Sequence, residues 1–145
     1  MYKHILIPTD GSRRSERAAQ RAIRLARSLG ARVTALHVVP ESEFPALEAW
    51  ARHDTKFASK LDQAFRNHAV TFLDNVRDFA RLAGVQCQCR IARAPLPHEA
   101  IVKTAHEAAC DLIFMSPRAT ADAGYADSQT AKVAGLGDVP VLVDH

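Results

Sequence analysis

The chain has no run of about 18 apolar residues, so nothing in it reads as a membrane-spanning helix. Its N-terminus, MYKHILIPTDGS, lacks a signal-peptide core followed by a small-residue cleavage site, and a cytoplasmic location is the expectation. It has only three cysteines, Cys87, Cys89 and Cys110. An odd number without framework spacing excludes a disulfide scaffold and points to reduced thiols. Aromatic residues make up 6% of the chain, and no aromatic platform accompanies its basic residues. Nucleic-acid binding is therefore not expected from the net charge of +3 alone. No nucleophile elbow G-x-S-x-G is present. The pair His98-Glu99 and His106-Glu107 places its histidines too far apart for the zinc helix motif, which needs them four apart. A metal site is not expected, nor is a paired-carboxylate acid–base centre.

What is present is a sequence of alternating strand and helix signals over 145 residues, a length suited to one domain. His4–Thr9 (HILIPT) is short and apolar enough for a buried strand. Asp10-Gly11-Ser12 supplies turn chemistry and a candidate N-cap. Arg13–Leu29 has helical periodicity: Ala19, Ala22, Ile23, Ala26 and Leu29 fall on one side, and Arg17, Arg21 and Arg24 on another. Gly30 is a natural stop. Val33–Val39 is a β-branched run that reads as buried on both faces, with His37 as a hydrogen-bonded core residue. Glu41–Asp54 reads as a loop with one helical turn near Leu47–Trp50.

The strongest helical period runs from Lys56 to Ala83, through Leu61, Phe65, Ala69, Phe72, Val76, Phe79 and Ala83. Val85–Ile91 alternates, with Val85, Cys87, Cys89 and Ile91 on one face. That is a half-exposed strand near a sheet edge. Cys87-x-Cys89 could suggest a metal or redox pair. At this spacing both thiols share a face and read as small apolar residues. Pro97 begins a helix over His98–Ala109, with Ile101, Ala105 and Ala108 inward and His98 exposed near its start. Leu112–Met115 is a strand, Ser128–Leu136 a short helix, and Val139–Val143 a last strand at the edge. An apolar edge strand calls for cover, and pairing with a second copy would supply it.

The order β-α-β-α-β-α-β-α-β calls for an α/β fold: an open five-stranded parallel sheet, in a single domain over 1–145, with helices on both faces and right-handed crossovers. Ligands in such sheets bind outside the carboxyl ends of the strands, where strand order reverses. That places Pro8, Thr9 and Asp10, then Val39, then Met115 through Ala119 around one site. Asp10 could bond a ribose hydroxyl or support a metal, or it could simply shape the turn. The stretch Asp111–Thr130 has the strand–loop–helix order that suits a phosphate, yet it holds one glycine, Gly124.

ILIPTDGS, HVVP, the Pro97-x-x-x-Ile101 helix start, CDLIFMSPR and the terminal PVLV together resemble the universal stress protein family, a UspA-like domain. The resemblance implies a Rossmann-like, adenine nucleotide alpha hydrolase-like sheet, an adenine-nucleotide site in one branch, and a homodimer through Val139–Val143. The ATP-binding branch carries G-x-x-G-x9-G-[S/T] after its fourth strand. In this chain the three glycine positions hold Ser116, Ala119 and Gln129, and the terminal hydroxyl is kept as Thr130, so the loop is degenerate. Side chains there fill space that backbone must leave for phosphate. Pro8, Thr9, Asp10, Val39 and Met115 match the adenosine end, while Pro95 stands where the family often has glycine. Arg118, with Arg13 or Arg14, could offset lost phosphate contacts. Two readings follow. One is a stress-response homodimer that binds a protein partner, with weak or no ATP binding and no turnover. The other is an ATP- or AMP-binding protein with slow hydrolysis, with Mg only alongside a bound nucleotide.

Overall fold

The computed structural model describes residues 1–40, 53–94, 96–116 and 137–144. Five strands form one sheet: β1 (His4–Thr9), β2 (Arg32–Pro40), β3 (Cys87–Ala94), β4 (Leu112–Met115) and β5 (Val141–Val143). Their order across the sheet is β3-β2-β1-β4-β5, and every pairing is parallel. The chain moves outward from β1 through β2 to β3, then returns to lay β4 on the other side of β1. Strand order therefore reverses between β1 and β4. The expected α/β architecture, with its parallel sheet and two edge strands, is the one observed.

Three helices are described: α1 (Arg13–Leu29), α2 (Thr55–Leu82) and α3 (Pro97–Glu107). β1 is central because it can bury both faces. Ile5 and Ile7 join a core under α1 and α2, and Leu6 joins a second core under α3. All three are fully buried. Each such side chain contributes about 1.5–3 kcal/mol relative to exposure, which makes β1 the axis of the fold. α1 begins where Ser12 caps it, accepting the Ser15 N–H at 3.2 Å. It ends at Gly30, whose φ of 67° lets the Ala31 N–H reach the Ala26 carbonyl at 2.8 Å. At the opposite end of the sheet, the Asp111 carboxylate accepts the backbone N–H groups of Lys3 and His4 at 2.8 and 3.0 Å. That contact ties the start of β4 to the start of β1.

Four expectations are corrected by the structure. β3 starts at Cys87 and runs on to Ala94, because Ala92, Arg93 and Ala94 keep pairing with Val38, Val39 and Pro40. Ile91 does not share the buried environment of the two cysteines before it. It is 44% exposed, because a cavity opens between β3 and α2 at that level. His98 is buried rather than exposed: with Ile101 and Ala105 it forms the inward row of α3, and that row starts one turn before its first apolar residue. β5 is shorter than Val139–Val143, since Pro140 has no N–H to pair. The expected turn at Leu47–Trp50 and helix at Ser128–Leu136 lie outside the described residues.

Candidate functional site

The carboxyl ends of β1, β2 and β4 gather Pro8, Thr9, Asp10, Val39, Met115 and Ser116 at one end of the sheet. Thr9 is buried, and its hydroxyl donates to the Leu36 carbonyl at 3.2 Å. This bond fixes the last residue of β1 against β2. The chain then turns sharply into α1. Asp10 Oδ1 accepts the Ser12 N–H at 3.0 Å and the Ser15 hydroxyl at 2.6 Å. Ser15 Oγ in turn accepts the Asp10 N–H at 3.2 Å. One carboxylate oxygen thus builds the turn, the plainer of the two roles open to Asp10 in the sequence.

Gly11, at the apex, has φ 81°, a conformation other residues adopt only at a cost. A Cβ there would stand 2.7 Å from His68 Nε2 and 3.2 Å from His37 Cε1. Two imidazoles therefore close over this glycine. His37 comes from β2, opposite Thr9, and His68 comes from α2. Their ring centroids are 6.1 Å apart in an edge-on arrangement, and Phe72 backs His37 at 6.2 Å. His37 is buried, and its Nδ1 has no hydrogen-bond partner among the described residues, unlike the bonded core histidine expected. Burial pushes its pKa below the ordinary value, and the nearby His68 acts in the same direction against the opposing pull of Asp10. His68 carried no pattern in the sequence. Only the packing of α2 against α1 brings it over a turn 57 residues earlier.

Val39 is buried at the end of β2 and forms one wall of a cavity of about 250 Å³. Phe65 and Arg66 of α2, with Ile91 and Arg93 of β3, form the other walls. The lining joins apolar surface to two guanidinium groups, a chemistry suited to a small anion with an apolar body. On the other side of β1, Met115 is buried and its carbonyl accepts the Asp144 N–H at 2.7 Å. Ser116 follows, half-buried. Arg118, Ala119, Gln129 and Thr130 lie outside the described residues, as does Pro95. Among the described residues, no three His, Cys, Asp or Glu side chains converge as a metal site.

Comparison with known proteins places these features in a family. The sequence model of the Universal stress protein family matches residues 1–145. A universal stress protein of Methanocaldococcus jannaschii is 32% identical over 115 residues, which are 79% of this chain and 64% of that protein. The match thus spans less than two thirds of that relative's length. The structure of the universal stress protein UspA from Lactobacillus plantarum superposes with a TM-score of 0.80 at 26% identity, covering 99% of this chain and 98% of that one. A universal stress protein from Archaeoglobus fulgidus, solved in complex with dAMP, superposes with a TM-score of 0.63 at 21% identity, covering 98% and 97%.

Proposed function

The chain belongs to the universal stress protein family, and from that premise we propose that it is a homodimeric binding protein of the stress response with weak or no affinity for ATP. The turn after β1 carries this reading. Asp10 Oδ1 accepts the Ser12 N–H and the Ser15 hydroxyl, so one oxygen of this carboxylate is engaged in shaping the turn. The family resemblance adds that Ser116, Ala119 and Gln129 stand where the ATP-binding branch has glycine. A phosphate chain needs close approach to backbone N–H groups, and side chains at those positions hold it off. The protein acts by binding and not by turnover, as one domain over 1–145, in the cytoplasm. Among the described residues no helix is long and apolar enough to cross a membrane.

The homodimer reading rests on β5. Among the described residues it pairs with β4 on one side only and is an edge of the sheet. The Ile113 N–H takes the Pro140 carbonyl, and the Asp144 N–H reaches back to Met115. Even-numbered residues of this strand therefore face β4. By strand alternation the N–H and C=O groups of Val141 and Val143 face outward, open to a second copy.

A second reading is an adenine-nucleotide protein with slow hydrolysis, Mg accompanying the nucleotide. The dAMP held by the Archaeoglobus fulgidus neighbour favours a ligand with one phosphate. Pro8, Thr9, Asp10 and Val39 would hold the adenosine end, and Arg118, with Arg13 or Arg14, would meet the phosphate. The test of the first reading is restoration of the loop by Ser116→Gly, Ala119→Gly and Gln129→Gly together. The restored chain should bind ATP at least about tenfold more tightly, a gain of roughly 1.4 kcal/mol. A folded triple variant with unchanged ATP affinity would show that the missing glycines do not set it.

A further inference from the structure

The strongest unassigned chemistry lies on β3, away from the carboxyl ends of the strands and independent of any nucleotide. Cys87 and Cys89 face Val33 and Ala35 across the ladder and share one face of an edge strand. Both are free and half-buried against the core under α2. Cys89 Sγ lies 3.8 Å from the Leu73 carbonyl of α2. One turn further along that helix is Arg77, whose guanidinium interacts with the Cys89 sulfur and pairs with Asp74 at 3.7 Å. We propose that Cys87 and Cys89 form a two-sulfur clamp for a monovalent copper ion, with Arg77 compensating the charge of the complex.

Geometry separates this from the other things two thiols can do. Same-face neighbours on a strand are about 6.6 Å apart, two rises of about 3.3 Å. A disulfide wants its Cβ atoms about 3.8 Å apart, so closing one would require the strand to bend. Two metal–thiolate bonds of about 2.3 Å span about 4.6 Å between sulfurs, which side-chain rotation alone can reach from that spacing. Zinc demands four donors, and among the described residues no third His, Cys, Asp or Glu joins the pair. A soft ion content with two thiolates is Cu(I).

The pair is prepared for that exchange. Each thiol makes only a weak sulfur contact to a carbonyl, Cys87 Sγ to Gln88 at 3.7 Å and Cys89 Sγ to Leu73 at 3.8 Å, and a metal–sulfur bond displaces such a contact at little cost. Cu(I) takes the place of the two thiol protons. Both sulfurs end as thiolates, the displaced protons go to solvent, and no electron is transferred. The bis-thiolate complex carries one negative charge, which faces Arg77. Cys110 provides the contrast within the same chain. It is buried in the other core, and burial pushes its thiol up to about 11, so it stays protonated and inert.

The test is anaerobic titration of the full-length reduced protein with Cu(I) against bicinchoninate as a competing colorimetric chelator. One Cu(I) per chain is expected. Cys87→Ser and Cys89→Ser should each abolish retention, and Cys110→Ser should leave it unchanged. Arg77→Gln should keep the stoichiometry and weaken binding about threefold, as fits a half-exposed charge pair. Wild-type protein gives a check that no folding defect can disturb. Cu(I) should shield Cys87 and Cys89 from iodoacetamide, read by peptide mass spectrometry, and leave Cys110 as it was. Failure of the wild-type chain to compete for Cu(I), retention of copper by the Cys87→Ser and Cys89→Ser double variant, or absence of shielding would each overturn the proposal. So would a Cys87–Cys89 disulfide formed in air by a chain that takes no copper.

Discussion

Replacing Gly11 by alanine should weaken the fold by about 2–4 kcal/mol, in two separable parts. The first is backbone. At φ 81° an L side chain meets the following carbonyl, which costs about 1–2 kcal/mol. The second is contact. The new methyl would stand 2.7 Å from His68 Nε2 and 3.2 Å from His37 Cε1. His68 is exposed and can swing away, but His37 is buried between β1, β3 and Phe72 and has nowhere to go. Overpacking a fixed neighbour costs roughly 1–3 kcal/mol, and the tight contact here falls toward the lower part of that range. Urea unfolding of wild type, Gly11→Ala, His68→Ala and the double variant measures both parts. Removing His68 should recover part of the contact cost and none of the backbone cost. A Gly11→Ala variant within about 0.5 kcal/mol of wild type would refute both the turn geometry and the packing of the two imidazoles on it.

Acid should destabilise the protein starting below pH 6.5. Burial lowers the pKa of both His4 and His37 from 6.5 in the folded chain, so the unfolded chain binds more protons as pH falls through that value. Urea midpoints at pH 7.5, 6 and 5 should decline in that order, and a flat series would contradict the burial of these rings. Val143→Pro should release monomers, because it deletes an N–H that faces away from β4 while leaving the ladder to Met115 in place. Light scattering at micromolar concentration reads the outcome, and a variant dimer as tight as the wild type would remove β5 from the interface.

Local chemistry made much of the fold legible. β1 and α1 have the bounds their residues announce, because an apolar run followed by Asp-Gly-Ser admits few alternatives. The long period of α2 and the apolar run of β4 were equally plain. What could not be read were features set by partners distant in sequence. Ile91 continues the alternation of Cys87 and Cys89, yet faces a cavity because α2 does not close over it. His98 is polar and lies at a helix start, yet its row is the one that meets the sheet. The same holds for the candidate site. Thr9, Asp10 and Val39 were placed by strand ends and topology alone. His37 and His68 meet over Gly11 only through tertiary packing, and no spacing in the sequence announces a pair 31 residues apart.

A chain with side chains at all three glycine positions should not hold a triphosphate tightly. Isothermal titration calorimetry of the wild-type protein with ATP and with AMP, each with Mg present, measures this directly. The expected result is no ATP binding tighter than about 10 µM, with any AMP binding at least as strong as that of ATP. An ATP dissociation constant below about 10 µM, worth roughly 7 kcal/mol of binding, would contradict it and make this chain an ATP-binding member of its family.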